Sequence, residues 1–284
     1  NPGETNRLIP EFRMNFFRSF VFSLVLSLAY ACTSGHGTDF RVISPDGTLA
    51  VDVRTGDSLT YAVTRHGAPV LLPSAIALQF DDGTAPGRVA RVSDVHRSAV
   101  EREIEAPFHR QAWFTEHYNQ LRLDFEGGYS VTFRVFDEGC AYRFETALTG
   151  GRTVADEVAE FNFAGDPELF VAYSDGLCNA YQSQYVKCRL SELGTEKPVL
   201  LPLAADCGPA GRVLVCESDL ESYPGMFLMP SSGGLRGLFA QVPDSCYLHE
   251  RRCQEKVATR HGYIACVQGA RTYPWRILAV ADED

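Results

Sequence analysis

Apolar and polar residues alternate with a period of two along most of this chain. Residues 49–53, 59–63 and 76–80 each place apolar side chains at every second position. Successive side chains of a β-strand point to opposite faces of the sheet, so this period indicates strands with one buried face. Turn sequences such as Pro45-Asp46-Gly47 separate the runs. The first third of the chain is therefore predicted to form β-hairpins.

The same pattern continues toward the end of the chain and predicts an antiparallel meander over residues 121–144. Further runs typical of strands lie at residues 160–163, 169–173, 199–203, 212–216, 238–242, 262–267 and 275–281. Residues 175–197 lack this regularity and are predicted to be a loop or a short helix. About fifteen short strands without long helices favour sheet packed on sheet. The predicted fold class is all-β, a large antiparallel β-super-sandwich spanning residues 38–284.

Charge and motif content exclude several classes of function. The chain has 284 residues, of which 45% are hydrophobic, so it can bury a sizeable core. It carries 26 Lys and Arg against 36 Asp and Glu, a formal net charge of −10, which disfavours nucleic acid as a partner. The sequence has no Gly-x-Ser-x-Gly elbow, phosphate-binding loop or His-Glu-x-x-His motif. No catalytic residue is predicted in this chain.

The first residues resemble an export signal rather than part of a globular domain. Met14 and Arg18 begin a short basic segment, and residues 19–28 form an apolar run that is short for a membrane span. Small residues then precede Cys32, which is similar to the lipid-acceptor cysteine of bacterial lipoproteins. We predict a leader and short linker over residues 14–37, with upstream non-native sequence at residues 1–13. The expected location is the periplasm or outer membrane of a Gram-negative bacterium.

Eight further cysteines follow Cys32, and an exported chain could oxidise them. No Cys-x-x-Cys pair occurs, which argues against a structural zinc site. We expect at most two disulfide bridges, with Cys246 and Cys253 as a candidate pair.

An acidic segment directly after the predicted strand 212–216 is the best candidate for a site. Glu217, Asp219 and Glu221 alternate, so on an extended backbone they would share a face and attract a cation. Calcium takes six to eight oxygen ligands, and the local Asp-x-Asp-x-Asp-Gly loop that supplies them is missing here. The segment would then give one or two ligands to a site completed elsewhere. A solvated acidic turn is the other interpretation.

Six short motifs follow one another along the chain. They are Ser44-Pro45-Asp46-Gly47; Tyr118-Asn119-Gln120-Leu121; Phe133-Arg134-Val135-Phe136-Asp137-Glu138-Gly139 with Tyr142-Arg143-Phe144; Asp156-Glu157 with Glu160-Phe161-Asn162-Phe163; Glu217-Ser218-Asp219-Leu220 with Tyr223-Pro224-Gly225-Met226; and Pro274-Trp275-Arg276. In this order they resemble the N-terminal domain of glycoside hydrolase family 97.

The resemblance implies a non-catalytic domain of an exported bacterial glycosidase that acts on α-linked oligosaccharides. Family members join an N-terminal β-super-sandwich to a catalytic (β/α)₈ barrel and a small C-terminal β domain. The N-terminal domain packs on the barrel and gives one glutamate to an active-site calcium, and by position in its motif that glutamate is Glu217. The barrel carries the catalytic carboxylates. We therefore expect this chain to be truncated after its last strand and to be inactive alone.

A second hypothesis treats the chain as a stand-alone, lipid-anchored carbohydrate-binding module without activity. Such a module needs exposed aromatic side chains that stack on sugar rings, and the candidates are Trp113, Tyr118, Tyr181 and Tyr185. Core packing is the alternative role for each of them. A third hypothesis is a decayed gene whose product has no function.

Overall fold

Antiparallel β-strands build almost all of the described protein. The computed structural model describes residues 38–178, 180–251 and 253–282. Within these residues it contains 22 strands and two 3₁₀ helices, Leu190–Glu192 and Gly208–Ala210, but no α-helix. In this part of the chain, no helix is long and apolar enough to cross a membrane. The predicted all-β class is confirmed.

The strands are numbered here in chain order. They are β1 Asp39–Ile43, β2 Leu49–Arg54, β3 Gly56–Ser58, β4 Thr60–Arg65, β5 Ala68–Phe80, β6 Arg88–Ala90, β7 Val92–Glu105, β8 Trp113–Phe125, β9 Tyr129–Phe136, β10 Gly139–Thr146, β11 Gly151–Phe161, β12 Glu168–Ala172, β13 Tyr185–Arg189, β14 Leu203–Asp206, β15 Arg212–Ser218, β16 Met226–Ser231, β17 Gly234–Phe239, β18 Pro243–His249, β19 Gln254–Arg260, β20 Ala265–Gln268, β21 Arg271–Thr272 and β22 Trp275–Ala281.

Two large antiparallel sheets form the body of the domain. The ten-stranded sheet has the order β13-β12-β14-β15-β22-β10-β9-β8-β7, and β21 also pairs with β10. The eight-stranded sheet has the order β1-β2-β4-β5-β11-β17-β16, and β20 pairs with β11. Two short ribbons, β18-β19 and β3-β6, stand outside these sheets. The last predicted strand is found over the predicted residues as β22, next to β15 at the centre of the ten-stranded sheet.

The hydrophobic core lies between the two sheets. One continuous cluster of buried side chains draws on both of them, including Val51 and Leu78 from the eight-stranded sheet and Phe133 and Leu278 from the ten-stranded sheet. The rings of Tyr61 on β4 and Tyr142 on β10 have centroids 5.2 Å apart. Alternating strands thus bury one face each against the other sheet, as in a sandwich.

The structure adds strands that the sequence pattern did not reveal. Strands β7, β18 and β19 have almost no buried residue, so their sequences lack a clear apolar period. Residues 175–197, predicted as a loop or short helix, contain strand β13, which pairs with β12. That prediction was therefore incomplete: β13 lies at the sheet edge with mostly exposed side chains, where burial imposes no pattern.

The expected disulfide between Cys246 and Cys253 is not formed, and all eight cysteines of the described residues are free thiols. Cys246 lies opposite Val257 in the β18-β19 ribbon, whereas Cys253 lies in the turn, where its N–H donates to the carbonyl of His249. Three strand positions separate Cys246 from His249, roughly 10 Å along the strand, which is too far for a bridge. The predicted leader and Cys32 lie outside the described residues.

Candidate functional site

Glu217 lies near the end of β15, directly opposite Arg276 on β22. Opposite residues of an antiparallel pair project to the same face, so both side chains point toward the space between the sheets. The side chain of Arg276 is 1% exposed, whereas that of Glu217 is 13% exposed. Glu217 is thus the member of the pair that reaches the protein surface.

Arg276 binds two carboxylates at once. Its Nε and Nη2 donate to the two carboxylate oxygens of Glu157, each at 2.7 Å, and its Nη1 donates to Oε2 of Glu217 at 2.5 Å. The guanidinium carbon also lies 5.0 Å from the ring centroid of Phe239 and 6.0 Å from that of Tyr223. Bidentate pairing and ring contacts fix the guanidinium in one orientation.

A bulge in β11 brings Glu157 to this position. The pairing of β11 with β5 shifts register between Val154 and Asp156, and both Val154 and Glu157 are buried. Without the extra residue, strict alternation would place the side chains of residues 154 and 157 on opposite faces. Bulges re-aim side chains next to functional sites. The ion pair between Glu157 and Arg276 therefore links the two sheets across the core.

The electrostatics of the three groups follow from burial and charge. Burial raises the pKa of Glu217, and the nearby Arg276 charge and the Met226 N–H oppose that rise without cancelling it. Burial alone would lower the pKa of Arg276, but the charge and hydrogen bonds of Glu157, with Glu217, raise it above its ordinary value. One guanidinium balances one of the two carboxylates when both are ionised. The site then carries one excess negative charge beside the surface.

The turn after β15 closes over Glu217. The backbone N–H of Met226 donates to Oε1 of Glu217 at 2.9 Å and to Oε2 at 3.1 Å. A Cβ at Gly225 would lie 3.3 Å from Oε1, so a side chain there would crowd the carboxylate. Oε1 accepts a hydrogen bond from Met226, the one such bond found for it among the described residues, and so keeps lone-pair capacity.

The three carboxylates of the acidic segment do not share a face. Strand β15 ends at Ser218, and Asp219, Glu221 and Ser222 then adopt positive φ angles of 64°, 36° and 65°. Oδ2 of Asp219 lies 3.5 Å from Nη1 of Arg143, on the outer side of the sheet. The side chain of Glu221 is exposed. The prediction that Glu217, Asp219 and Glu221 share a face was wrong, because the backbone leaves the extended conformation after Ser218. Left-handed conformations of non-glycine residues cluster at functional sites.

Glu217 could hold a metal only together with ligands from another part of a protein. Within the described ranges, no three His, Cys, Asp or Glu side chains come together in a way that could bind a metal ion. A carboxylate with remaining lone-pair capacity is a suitable calcium ligand, yet calcium takes six to eight oxygens. The residues present therefore fit one edge of a calcium site.

The four aromatic candidates for sugar contacts fall into two groups. Tyr118 is buried against Phe136, with ring centroids 4.9 Å apart. Trp113, Tyr181 and Tyr185 are 57%, 61% and 54% exposed. Packing against Phe136 and Arg134 therefore accounts for the burial of Tyr118, whereas the other three aromatic side chains are exposed.

The outer face of the ten-stranded sheet is open and apolar around β15 and β22. Val213 and Val215 are buried, but Leu214 between them is 37% exposed, so β15 is covered on its inner face only. A shallow groove of about 290 Å³ runs along this face, lined in part by Trp275 and Ile277. An apolar groove of this kind marks a surface suited to a further protein layer.

Sequence reasoning assigned no role to Arg276 or Glu157. The sequence could have indicated a role for Arg276, because this residue lies on the same strand face as Leu278 and Val280. It is thus a charged residue on an apolar face. A buried charge of this kind needs a partner. Glu157 could not be placed in the same way, because the bulge in β11 breaks the alternation that would have assigned its face.

Comparisons with known proteins agree with this fold. The model of the glycosyl-hydrolase 97 N-terminal family matches residues 42–284. A retaining alpha-galactosidase of Bacteroides thetaiotaomicron is 35% identical over 257 residues, covering 86% of this chain and 39% of that protein. The described protein is thus a β-sandwich domain of a carbohydrate-enzyme family. The chain belongs to the glycosyl-hydrolase 97 N-terminal family.

Solved structures show the same fold at lower identity. A glycoside hydrolase family 97 enzyme of Pseudoalteromonas sp. strain K8, in complex with acarbose, superposes with a TM-score of 0.72 at 19% identity and covers 86% of this chain. A beta-arabinopyranosidase superposes with a TM-score of 0.71 at 20% identity and covers 87% of it. The chain spans only 36% and 40% of the length of these two proteins.

Proposed function

We propose that this chain is the non-catalytic N-terminal domain of an exported glycoside hydrolase, and that Glu217 is its contribution to an active-site calcium. The observation that carries the proposal is the geometry of Glu217, a carboxylate at a strand end that is fixed by Arg276 and Met226 yet reaches the surface. A purely structural ion pair would gain nothing from an exposed edge. Because the family relationship is shown, a neighbouring catalytic domain is the natural source of the other ligands.

Held by these contacts, Glu217 would bind calcium with little loss of side-chain freedom. The charge of Arg276 favours the ionised form of the carboxylate, which is the form that binds a hard cation. A calcium ion bound there would supply positive charge that could polarise a substrate oxygen or an attacking water. The acid and base or nucleophile come from the catalytic domain, since glycosidic cleavage requires two carboxyl groups placed across the scissile bond.

We place the contact with the catalytic barrel at the Glu217 end of the sandwich and on the adjoining outer face of the ten-stranded sheet. The apolar groove near Ser218, Trp275 and Ile277 supports this placement. Burial of such a surface against another domain would remove apolar area from water.

The proposed substrates are α-linked oligosaccharides, and α-galactosides are the first to test because the relative at 35% identity is an alpha-galactosidase. Export through the leader at residues 14–37, with a lipid on Cys32, would bring the enzyme to the periplasm or outer membrane, where such sugars arrive.

A hybrid enzyme tests the proposal. Residues 42–282 replace the matching segment of the Bacteroides alpha-galactosidase, and hydrolysis of 4-nitrophenyl α-galactoside is followed as calcium is varied with a chelator buffer. We expect calcium-dependent hydrolysis by the hybrid. Glu217→Gln should raise the calcium concentration for half-maximal rate by about 10-fold or more, because one charged ligand is lost.

Glu221→Gln is the matched control, since Glu221 is exposed on the same turn and has no proposed role as a ligand. It should leave the calcium requirement unchanged. If the Glu217→Gln and Glu221→Gln hybrids need the same calcium concentration for half-maximal rate, the assignment of Glu217 as a calcium ligand is refuted.

A second candidate function is the stand-alone sugar-binding module, and the exposure of Trp113 and Tyr185 is the observation that favours it. In this case the chain should bind malto-oligosaccharides in a saturable calorimetric titration. Trp113→Ala or Tyr185→Ala should abolish that binding. If the unmodified chain shows no heat of binding in this titration, the hypothesis of a stand-alone module is excluded. The hypothesis of a domain of a larger enzyme then remains.

A further inference from the structure

Tyr181 occupies an unusual position in the loop between β12 and β13. It has a φ angle of +52°, in the left-handed region, although it is a bulky residue. That conformation costs of the order of 1–2 kcal/mol for a side chain with a Cβ. Its side chain nevertheless remains 61% exposed. Burial of the ring therefore does not account for the strained backbone.

The Tyr181 ring is held from below. It stacks on Phe227 with ring centroids 6.1 Å apart and an angle of 29° between the rings. Phe227 is 3% exposed and belongs to a small buried cluster with Ala172 and Leu200, against which Leu177 from the same loop packs. The exposed ring of Tyr181 and the buried ring beneath it form an aromatic platform.

This platform lies beside the proposed calcium ligand. Phe227 follows Met226, whose N–H holds the Glu217 carboxylate. The Tyr181 ring thus packs on the residue next to the one that binds the Glu217 carboxylate. Burial raises the pKa of the Tyr181 hydroxyl, and the charge of Glu217 raises it further. The structure thus presents an aromatic ring and an ionised carboxylate at one end of the sandwich.

We infer that Tyr181 is a sugar-binding residue, whose ring stacks on the apolar face of a pyranose at the site that Glu217 defines. The inference rests on the proposed function and names a substrate contact for it. A pyranose presents axial C–H groups on one face, and an aromatic ring with an accessible face packs against them. Aromatic side chains combine apolar area with little conformational entropy to lose. Phe227 supports the opposite face of the Tyr181 ring.

The stacking contact requires neither calcium nor the catalytic groups, so it can be measured on the 284-residue chain itself. The experiment is saturation-transfer NMR with millimolar methyl α-galactopyranoside in calcium-free buffer. We expect transfer to the ring protons of the sugar, and little transfer to mannitol, an acyclic alcohol without a ring face. Tyr181→Phe should keep the signal, and Tyr181→Ala should reduce it by about 5-fold.

Tyr247→Ala is the matched control, because Tyr247 is 54% exposed, lies in the β18-β19 ribbon and has no proposed role in sugar binding. It should leave the transfer unchanged. Equal signals from the unmodified chain and Tyr181→Ala, or no transfer at all, would overturn the inference. The two proposals can fail separately. If the NMR signal depends on Tyr181 but Glu217→Gln does not change the calcium requirement of the hybrid, the sugar contact is supported and only the calcium proposal is refuted.

Discussion

At the scale of single residues, the site depends on one guanidinium that serves two sheets. Arg276 on the ten-stranded sheet binds Glu157 on the eight-stranded sheet through two hydrogen bonds, and Glu217 through a third. The side chains of Arg276 and Glu157 are 1% and 4% exposed, so neither can recover hydration if its partner is removed. Glu217 shares the same guanidinium but is partly hydrated.

Replacement of Arg276 by Met should therefore destabilise the domain strongly. Arg276→Met leaves the buried carboxylate of Glu157 without a partner, which typically costs about 3–5 kcal/mol of unfolding free energy. Urea unfolding followed by intrinsic fluorescence measures the change. Arg54→Met is the control, since Arg54 and Asp39 form an exposed pair with 70% and 69% side-chain exposure, and it should have little effect. Similar effects of the two substitutions would contradict a structural role of the buried pair.

The raised pKa of Glu217 predicts a specific dependence of stability on pH. The folded state binds this proton more tightly than the unfolded state, whose carboxyl titrates near 4.5. The stabilising contribution of protonated Glu217 is thus fully present below pH 4.5 and is lost as the pH rises through the folded pKa. Compared with the unmodified chain, Glu217→Gln should gain unfolding free energy between pH 4 and pH 7. A difference that stays constant or reverses in sign would mean that Arg276 lowers the pKa instead.

Glu217 illustrates how far residue patterns lead in this protein. Its place at the end of an apolar strand was predictable from the sequence, and the structure puts it there. Its contacts were not predictable from the sequence. One comes from Arg276, 59 positions later in the chain. The other comes from a turn in which non-glycine residues adopt left-handed conformations, which their residue types do not predict. The position of Glu157 depends on a bulge, which periodicity alone does not reveal. The role of Glu217 as a calcium ligand stays a prediction.

At the scale of elements, the approach to β15 requires a glycine. Gly211 precedes this strand with a φ of +91°, and a Cβ at this position would overlap the carbonyl oxygen of Ala281 on β22. Gly211→Ala should cost about 2–4 kcal/mol in unfolding free energy, since backbone strain and steric overlap add. Gly47→Ala is the control, with a φ of +80° and no atom within 4 Å of the added Cβ.

The control should lose about 1 kcal/mol, the cost of a left-handed alanine. Denaturant unfolding of both variants gives the comparison. Equal losses would show that the close approach of β15 to β22 does not depend on Gly211.

The first hairpin turn depends on the carboxylate of Asp46. This turn was predicted from Ser44-Pro45-Asp46-Gly47, and it connects β1 to β2. Burial is the largest single effect and opposes ionisation, but the hydrogen bonds from Ser44 and Thr48 together outweigh it and lower the pKa of Asp46 to about 2. The stabilisation is present above the unfolded value of 3.8 and is lost as the pH falls to about 2.

Asp46→Asn should consequently be less stable than the unmodified chain at pH 7, and the difference should shrink between pH 3.8 and 2. Thermal unfolding at several pH values measures it. Asp57→Asn, at an exposed position on β3, serves as the control and should show no such dependence. A deficit of Asp46→Asn that persists unchanged at pH 2 would rule out the ionised carboxylate as its cause.

Burial explains which elements the sequence could reveal. Strands such as β4 and β22 bury every second residue against the other sheet, and this leaves the period that identified them. Strand β7, the first five residues of β8 and the β18-β19 ribbon have no buried residue, so they show no such pattern. The number of strands was consequently underestimated, although the fold class was correct.

At the scale of the whole molecule, the described residues form a sandwich with its own core, whereas the proposed calcium site needs further ligands. The core is continuous between the sheets. The Glu217 carboxylate is partly exposed near the end of β15, and the apolar groove lies on the outer face of the ten-stranded sheet. The matched relatives are more than twice as long as this chain. Fold and function therefore separate: the domain has its own core, and its proposed chemistry needs a neighbour.

The central claim is that Glu217 supplies one ligand of a calcium site that two domains share. Calorimetric titration of calcium into the hybrid enzyme tests it most directly, with the isolated chain and the Glu217→Gln hybrid titrated in parallel. The account predicts one calcium per hybrid molecule, no measurable binding to the isolated chain, and about 10-fold or more weaker binding to the variant. Equal calcium affinities of the hybrid and its Glu217→Gln variant would contradict it.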